Sequence, residues 1–251
     1  MTKKVKIYGS AVYSTSKPVS MHKREIVKAT VEGKRKDIVD VSDIYGKKSF
    51  IDVSWLKAAS TKYHISPNLN DYVVESVPVL TAGIPNINMQ GFSVKALTEF
   101  DPDQGCVRYK TFVGKPTFEE HQNTDITKAK GVNLDASLVS IPKFKIGKVV
   151  VLSAFDRTKD EKLVSAIFKR ERKSYSMGAI ASYFNCSICS GILGPGVDRT
   201  CSCVGTDYTN LRSYGQVING KLHYIEGADP VFIENSSVAS PADVSAVGTQ
   251  V

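Results

Sequence analysis

Short runs of β-branched and aromatic residues, each bounded by turn residues, restrict this chain to a mostly β fold. VKIYGSAVY (5–13), REIVKATVEG (24–33), VVESVPVL (73–80), VRYKTFVG (107–114) and GKVVVLSAF (147–155) are strand-length and rich in Val, Ile, Tyr and Phe. VINGKLHYI (217–225) reads as a hairpin, because Asn219-Gly220 supplies the two positive φ angles of a type I′ turn. Helical spacing is confined to two places. Over 158–172, Leu163, Val164, Ile167 and Phe168 recur on one face, with acidic residues leading and basic ones following, as the helix dipole prefers. A second helix is expected near 53–63. The pattern predicts an α+β chain that is mostly β, built as a barrel with helices around it. No Pro/Gly/Ser-rich linker divides it, so 1–251 reads as a single domain, with the small polar stretch 239–251 as a flexible tail.

At 251 residues the chain is long enough to bury a sizeable core, and no apolar run approaches the length of a membrane span. The opening MTKKVKIYGS is basic but lacks the apolar stretch of a signal peptide, so the protein is expected in the cytoplasm where it is made. The formal charge of +8 fits acidic partners, either nucleic acid or an acidic protein surface, and does not choose between them. Aromatic and basic residues do not interleave in a compact RNA-binding signature.

Four of the five cysteines cluster as Cys186-x-x-Cys189 and Cys201-x-Cys203. In a reducing compartment such a set favours a metal over disulfides, and a tetrahedral thiolate site suits structural zinc. The intervening GILGPGVDRT, with three glycines and a proline, suits a turn that brings the pairs together. Free thiols and disulfides stay open as alternatives. Residues 185–205 therefore read as a cysteine-rich insertion. Cys106 stands alone, a small hydrophobe at a strand start or a rival nucleophile.

Ser176 lies in a strand directly after the longer helix. Alternation puts Ser174, Ser176 and Gly178 on one face, and Tyr175, Met177 and Ala179 on the other. Gly178 would leave space beside Ser176 for an incoming carbonyl. A serine nucleophile needs a base, and the histidines are His22, His64, His121 and His223. His121 has the most distinctive setting, between Glu119–Glu120 and Asp125. Strand serines and loop histidines are usually structural, and on residue type alone that reading stays open for both.

YKTFVGKPTFEEHQNTD (109–125) with KAKG (128–131), then YSMGA (175–179), then FIENSSVASPADVSAV (232–247) follow one another in an order that resembles the prohead proteases of tailed bacteriophages, in particular those of T4-like and larger phages. The resemblance spans about Tyr109 to Val247. It implies a serine endopeptidase with a herpesvirus-assemblin-like β-barrel, packed inside the procapsid in the bacterial host cytoplasm. Its substrates would be scaffold or core proteins, the major capsid protein and itself, with homo-oligomers expected and neither membrane nor nucleic acid required. Carried over, Ser176 matches the nucleophile, His121 the base and Glu234 the third member. Asp125, four residues beyond His121, remains the alternative carboxylate. Alternation places Glu234 on one face with Phe232 and Ser236. The resemblance also points to Arg212 as an aid to the oxyanion. Some large-phage members carry a cysteine-rich insertion after the serine strand, which favours zinc at Cys186, Cys189, Cys201 and Cys203. The competing reading is a non-enzymatic basic zinc-knuckle module that binds nucleic acid or another virion protein. A third is a virion structural protein with a protease-like fold that has lost activity.

Overall fold

The computed structural model describes residues 5–10, 38–42, 48–52, 54–194, 201, 203 and 214–239. The strand expected at 24–33, His22, Arg212 and nearly all of the 239–251 tail lie outside the described residues. The protein is mostly β, and its main sheet has seven strands: β1 (Val5–Ser10), β2 (Tyr72–Ala82), β3 (Pro116–Glu119), β4 (Gly131–Ile141), β5 (Ile146–Asp156), β6 (Ser174–Ala181) and β7 (Val231–Val238). Their order is β1-β6-β7-β3-β4-β5-β2. Neighbours run antiparallel except β7 and β3, which run parallel. The sheet curls into a half-barrel. One contact makes the curl necessary: the Tyr175 hydroxyl on β6 donates to the Glu75 carboxylate on β2, although four strands separate them in the sheet.

The inner face packs Val149, Val151 and Phe155 of β5 with Tyr175, Met177 and Ala179 of β6 and Phe232 of β7. On the opposite face Phe118 of β3, Val132 and Leu134 of β4 and Ala154 of β5 pack with Leu56, Ala59 and Tyr63 of helix α1 (Leu56–Tyr63). Each large aliphatic or aromatic side chain buried this way contributes about 1.5–3 kcal/mol. Helix α2 (Val94–Thr98) is a short turn capped by Ser93. Helix α3 (Glu161–Phe168) begins where the Asp160 side chain accepts from the Leu163 N–H. It is shorter than the 158–172 expected, because Arg170 takes a positive φ of 66° and leads the chain away. Its Leu163, Val164 and Ile167 are buried, whereas Phe168 is exposed.

VRYKTFVG is not a strand. Only Cys106–Val107 pairs, with Phe100–Asp101, and Arg108–Phe112 is a 3₁₀ helix. Tertiary contacts override its β propensity: the Arg108 guanidinium is tied to Asp101 (2.8 Å) and Asp229 (2.9 Å), and Phe112 stacks on Phe232 with centroids 4.0 Å apart. The hairpin at Val217–Ile218 and Lys221–Leu222 forms as expected, with Asn219 at φ 51° and Gly220 at φ 76°. A second sheet places Tyr183–Cys186 between Ile192–Leu193 and Ile225–Ala228, with Gln90–Gly91 beside the last. No helix among the described residues is long and apolar enough to cross a membrane.

Candidate active site and metal cluster

Three adjacent strands, β6, β7 and β3, bring Ser176, Glu234 and His121 together. On β6 the expected alternation is present, with Tyr175, Met177 and Ala179 turned into the core. Ser176 lies opposite Ser236 and Gly178 opposite Glu234 across the β6–β7 ladder. The next pair is Ala179 with Phe232, so Ile233 is an extra residue in β7, a bulge. This corrects the alternation read from the sequence. Phe232 follows Ala179 into the core, while Glu234 follows Gly178 onto the face of Ser176.

Gly178 also has a different use from the one expected. A Cβ there would stand 2.7 Å from Glu234 Oε1 and 3.0 Å from its Cγ. The missing side chain makes room for the Glu234 carboxylate rather than for a substrate carbonyl.

His121 arrives from a tight turn after β3. The Gln122 N–H donates to the Glu119 carbonyl at 3.1 Å, and the two central residues, Glu120 (φ 48°) and His121 (φ 55°), both lie in the left-handed region. These are the φ signs of a type I′ turn without the usual Asn or Gly. Left-handed conformations at such residues cost on the order of 1–3 kcal/mol each and concentrate at functional sites. The turn aims the imidazole across β7. Nδ1 is 2.8 Å from Glu234 Oε1, and Nε2 is 2.7 Å from Ser176 Oγ. The Ser236 hydroxyl donates to the other Glu234 oxygen. With Glu234 ionised, its oxygens can only accept, so Nδ1 carries the ring proton and Nε2 is left to accept from the Ser176 hydroxyl. Glu234 and Ser176 are 1% and 4% exposed, and the His121 side chain is 26% exposed, so the imidazole forms the solvent side of the arrangement.

Asp125 is elsewhere. It caps the 3₁₀ turn Ile126–Lys128 and accepts from the Thr127 N–H (3.0 Å) and hydroxyl (2.7 Å). Those bonds hold its carboxyl below the usual range. The carboxylate against the imidazole is Glu234. Glu119 and Glu120 do not reach the ring either, because both are held by Arg172: Nη2 donates to Glu119 Oε1 and Nη1 to Glu120 Oε1, each at 2.7 Å. Nothing in the sequence singles out Arg172, because no local pattern shows that the segment between α3 and β6 meets a turn some fifty residues earlier.

The four cysteines converge. The sulfurs of Cys186, Cys189, Cys201 and Cys203 all lie within 4.8 Å of one another, and none of the five cysteines is in a disulfide. Cys189 and Cys201 sulfurs are 3.6 Å apart, close to the roughly 3.8 Å between two thiolates on a tetrahedral zinc with 2.3 Å bonds. The donor set therefore fits a structural zinc ion. The knuckle is shaped for it. The Gly191 N–H donates to Cys189 Sγ at 3.4 Å, and that bond is the first cause holding the Cys189 thiol down at about 7. The neighbouring Cys189 sulfur pushes the Cys203 thiol up to about 12. Without a cation the cluster resists several thiolates at once, and a dication would relieve this. Gly191 must be glycine, since a Cβ would meet the Cys201 backbone nitrogen at 2.8 Å.

The cluster is not an appendage. Cys186 and Cys201 belong to the main core together with Phe184, Leu193 and Ile225. His223, fully buried, places Nε2 3.5 Å from Cys186 Sγ and stands edge-on to Tyr214. Its position three residues after the Gly220 turn was the one sequence signal that it returns to the knuckle.

The remaining candidates are placed away from this chemistry. His64 closes α1 in a left-handed C-cap. Burial, then Asp101, pushes the Cys106 thiol up, the opposite of what a nucleophilic cysteine needs. Comparison of the chain with protein-family models, with curated proteins and with solved structures returned no match in any of the three.

Proposed function

We propose that the protein is a serine endopeptidase of the prohead-protease type, acting on scaffold or core proteins, the major capsid protein and itself inside a phage procapsid in the bacterial host. The observation that carries this reading is the hydrogen-bonded chain Ser176–His121–Glu234, built from two strands and the turn that follows a third, in the order base, nucleophile, acid along the sequence. Adjacent placement of the three strands on a curled sheet supports a herpesvirus-assemblin-like fold, with a barrel surrounded by helices.

His121 Nε2 takes the proton from Ser176 Oγ as the oxygen attacks the scissile carbonyl, and returns it to the leaving amine. Water then repeats the cycle on the acyl-enzyme. Glu234 keeps the proton on Nδ1 and stabilises the imidazolium during each transfer, while Ser236 fixes the carboxylate from its far side. The mechanism needs no metal. Zinc at Cys186, Cys189, Cys201 and Cys203 would supply folding free energy, with His223 offering an N–H to the Cys186 thiolate. Because two of these thiols are core residues, the ion serves better as an internal staple than as a knuckle docking nucleic acid.

Co-expression of the chain with the scaffold or capsid precursor it serves tests the reading. The wild type should trim the precursor and Ser176→Ala should leave it intact. Equal trimming by both would remove Ser176 from the mechanism.

A further inference from the structure

We propose that Arg172 is a positioning residue for His121, holding the histidine turn in the geometry that presents Nε2 to Ser176. The inference rests on the serine-hydrolase reading of the site.

The turn lacks the Gly or Asn that would favour its shape. Glu120 and His121 take φ values of 48° and 55°, and neither is glycine or asparagine. Something outside the turn must hold it, and the structure shows what does. Arg172 forks across the two residues that precede the histidine, with Nη2 on Glu119 and Nη1 on Glu120. The same Glu120 oxygen accepts the Ala239 N–H at 2.7 Å, and the Glu120 N–H donates to the Ser237 carbonyl at 3.0 Å. The turn is thus tied to the end of β7, which carries Glu234, and to the segment entering β6, which carries Ser176. Arg172 lies two residues before β6 begins. The guanidinium joins the turn to the entry of β6, and the Glu120 it holds joins the turn to the end of β7, so the three pieces of chain whose relative position sets both His121 hydrogen bonds meet at this ion pair. A planar fork with fixed donor directions can hold two carboxylates in one relative orientation, which a lysine ammonium does less well.

The fork also keeps Glu119 and Glu120 from competing for the imidazole. Glu120 adjoins His121 in sequence, and a released carboxylate there is a rival for the ring N–H now given to Glu234.

Two readouts test this, each with Arg172→Ala, Arg172→Lys and the double variant Glu119→Gln/Glu120→Gln. The first does not depend on activity. In protein carrying ¹⁵N-histidine, the His121 Nδ1–H bonded to Glu234 should give a downfield proton resonance. We expect it in the wild type, broadened by water exchange in Arg172→Ala and largely kept in Arg172→Lys, with the thermal unfolding midpoint little changed. The second is the rate of Ser176 modification by a fluorophosphonate probe. It should fall about 10–100-fold in Arg172→Ala through the maximal rate rather than through probe affinity. Arg172→Lys should recover part of the loss, and the double carboxylate variant should add little to Arg172→Ala. If Arg172→Ala keeps the resonance and the rate, or if lysine is no better than alanine, the proposal is wrong. Should Arg172→Ala fail to fold, the lysine and double glutamine variants carry the same comparison. A wild type that the probe does not modify overturns the hydrolase reading instead, and the resonance still judges the clamp.

Discussion

Glu234→Gln should slow the Ser176 reaction by about 10³–10⁴-fold while leaving the protein folded, the magnitude seen when a triad carboxylate becomes an amide. Glutamine is nearly isosteric, so the loss isolates one change. Where the carboxylate oxygen accepts from His121 Nδ1 at 2.8 Å, an amide NH₂ can donate. The tautomer it favours carries the proton on Nε2, which faces Ser176 Oγ at 2.7 Å and can then no longer accept. Asp125→Asn, by contrast, should leave turnover within about twofold, the range of an exposed change away from the site. Among the described residues the hydrogen-bond partners of its carboxylate are the Thr127 N–H and hydroxyl, in the 3₁₀ turn it caps. Gly178→Ala reaches the same end sterically. A methyl 2.7 Å from Oε1 displaces the carboxylate, and an error of about 1 Å in a catalytic group costs roughly 10²-fold. Turnover of a cleavable precursor, with unfolding midpoints as the control, checks all three. Equal and mild losses in Glu234→Gln and Asp125→Asn would mean that neither carboxylate orients the histidine.

The second large effect concerns stability. Purified protein should carry about one zinc ion per chain, and Cys186→Ser/Cys189→Ser should lose it. Structural zinc contributes apparent free energies of about 10–16 kcal/mol in isolated zinc-finger peptides. Here a hydrophobic core shares the task, so a loss of several kcal/mol is expected, enough to remove much of a typical domain's stability. In that variant the serine at position 186 and Cys201 would be buried polar groups without a metal, in contact with the core around Phe184 and Leu193. Elemental analysis and chelator titration followed by thermal unfolding measure both parts. Chelation below the unfolding transition should leave the intrinsic reactivity of Ser176, since its bond to His121 Nε2 and the His121 bond to Glu234 do not pass through the cluster. Protein with reduced, intact cysteines and no bound metal would contradict the assignment.

Much of the site could be read from spacing and motif order, and the reasons for the rest are physical. Alternation correctly separated Ser176 and Gly178 from Tyr175 and Met177, because β6 is regular from Ser174 to Gly178. It misplaced Phe232 relative to Glu234, because a bulge is a choice of pairing between strands and leaves no mark in one strand's own pattern. The Asn219-Gly220 hairpin was legible, since a two-residue turn needs those φ values locally. Residues 108–112 were not, because their 3₁₀ path is set by Arg108 bridging Asp101 and Asp229, contacts made at long range. The sequence marks Gly178 as space, but its occupant, the Glu234 carboxylate, comes from the neighbouring strand and is invisible in β6 alone. Arg172 and His223 were missed for one shared reason: each acts on a residue distant in sequence, Glu119–Glu120 in one case and Cys186 in the other.

The central claim is that Ser176 is a nucleophile activated by His121. Treating the protein with a fluorophosphonate probe and locating the adduct by peptide mass spectrometry tests it most directly. The structure predicts a single adduct on Ser176 that is lost in His121→Ala and unaffected by Asp125→Asn. No adduct, an adduct on another serine, or equal modification of the His121→Ala variant would contradict it.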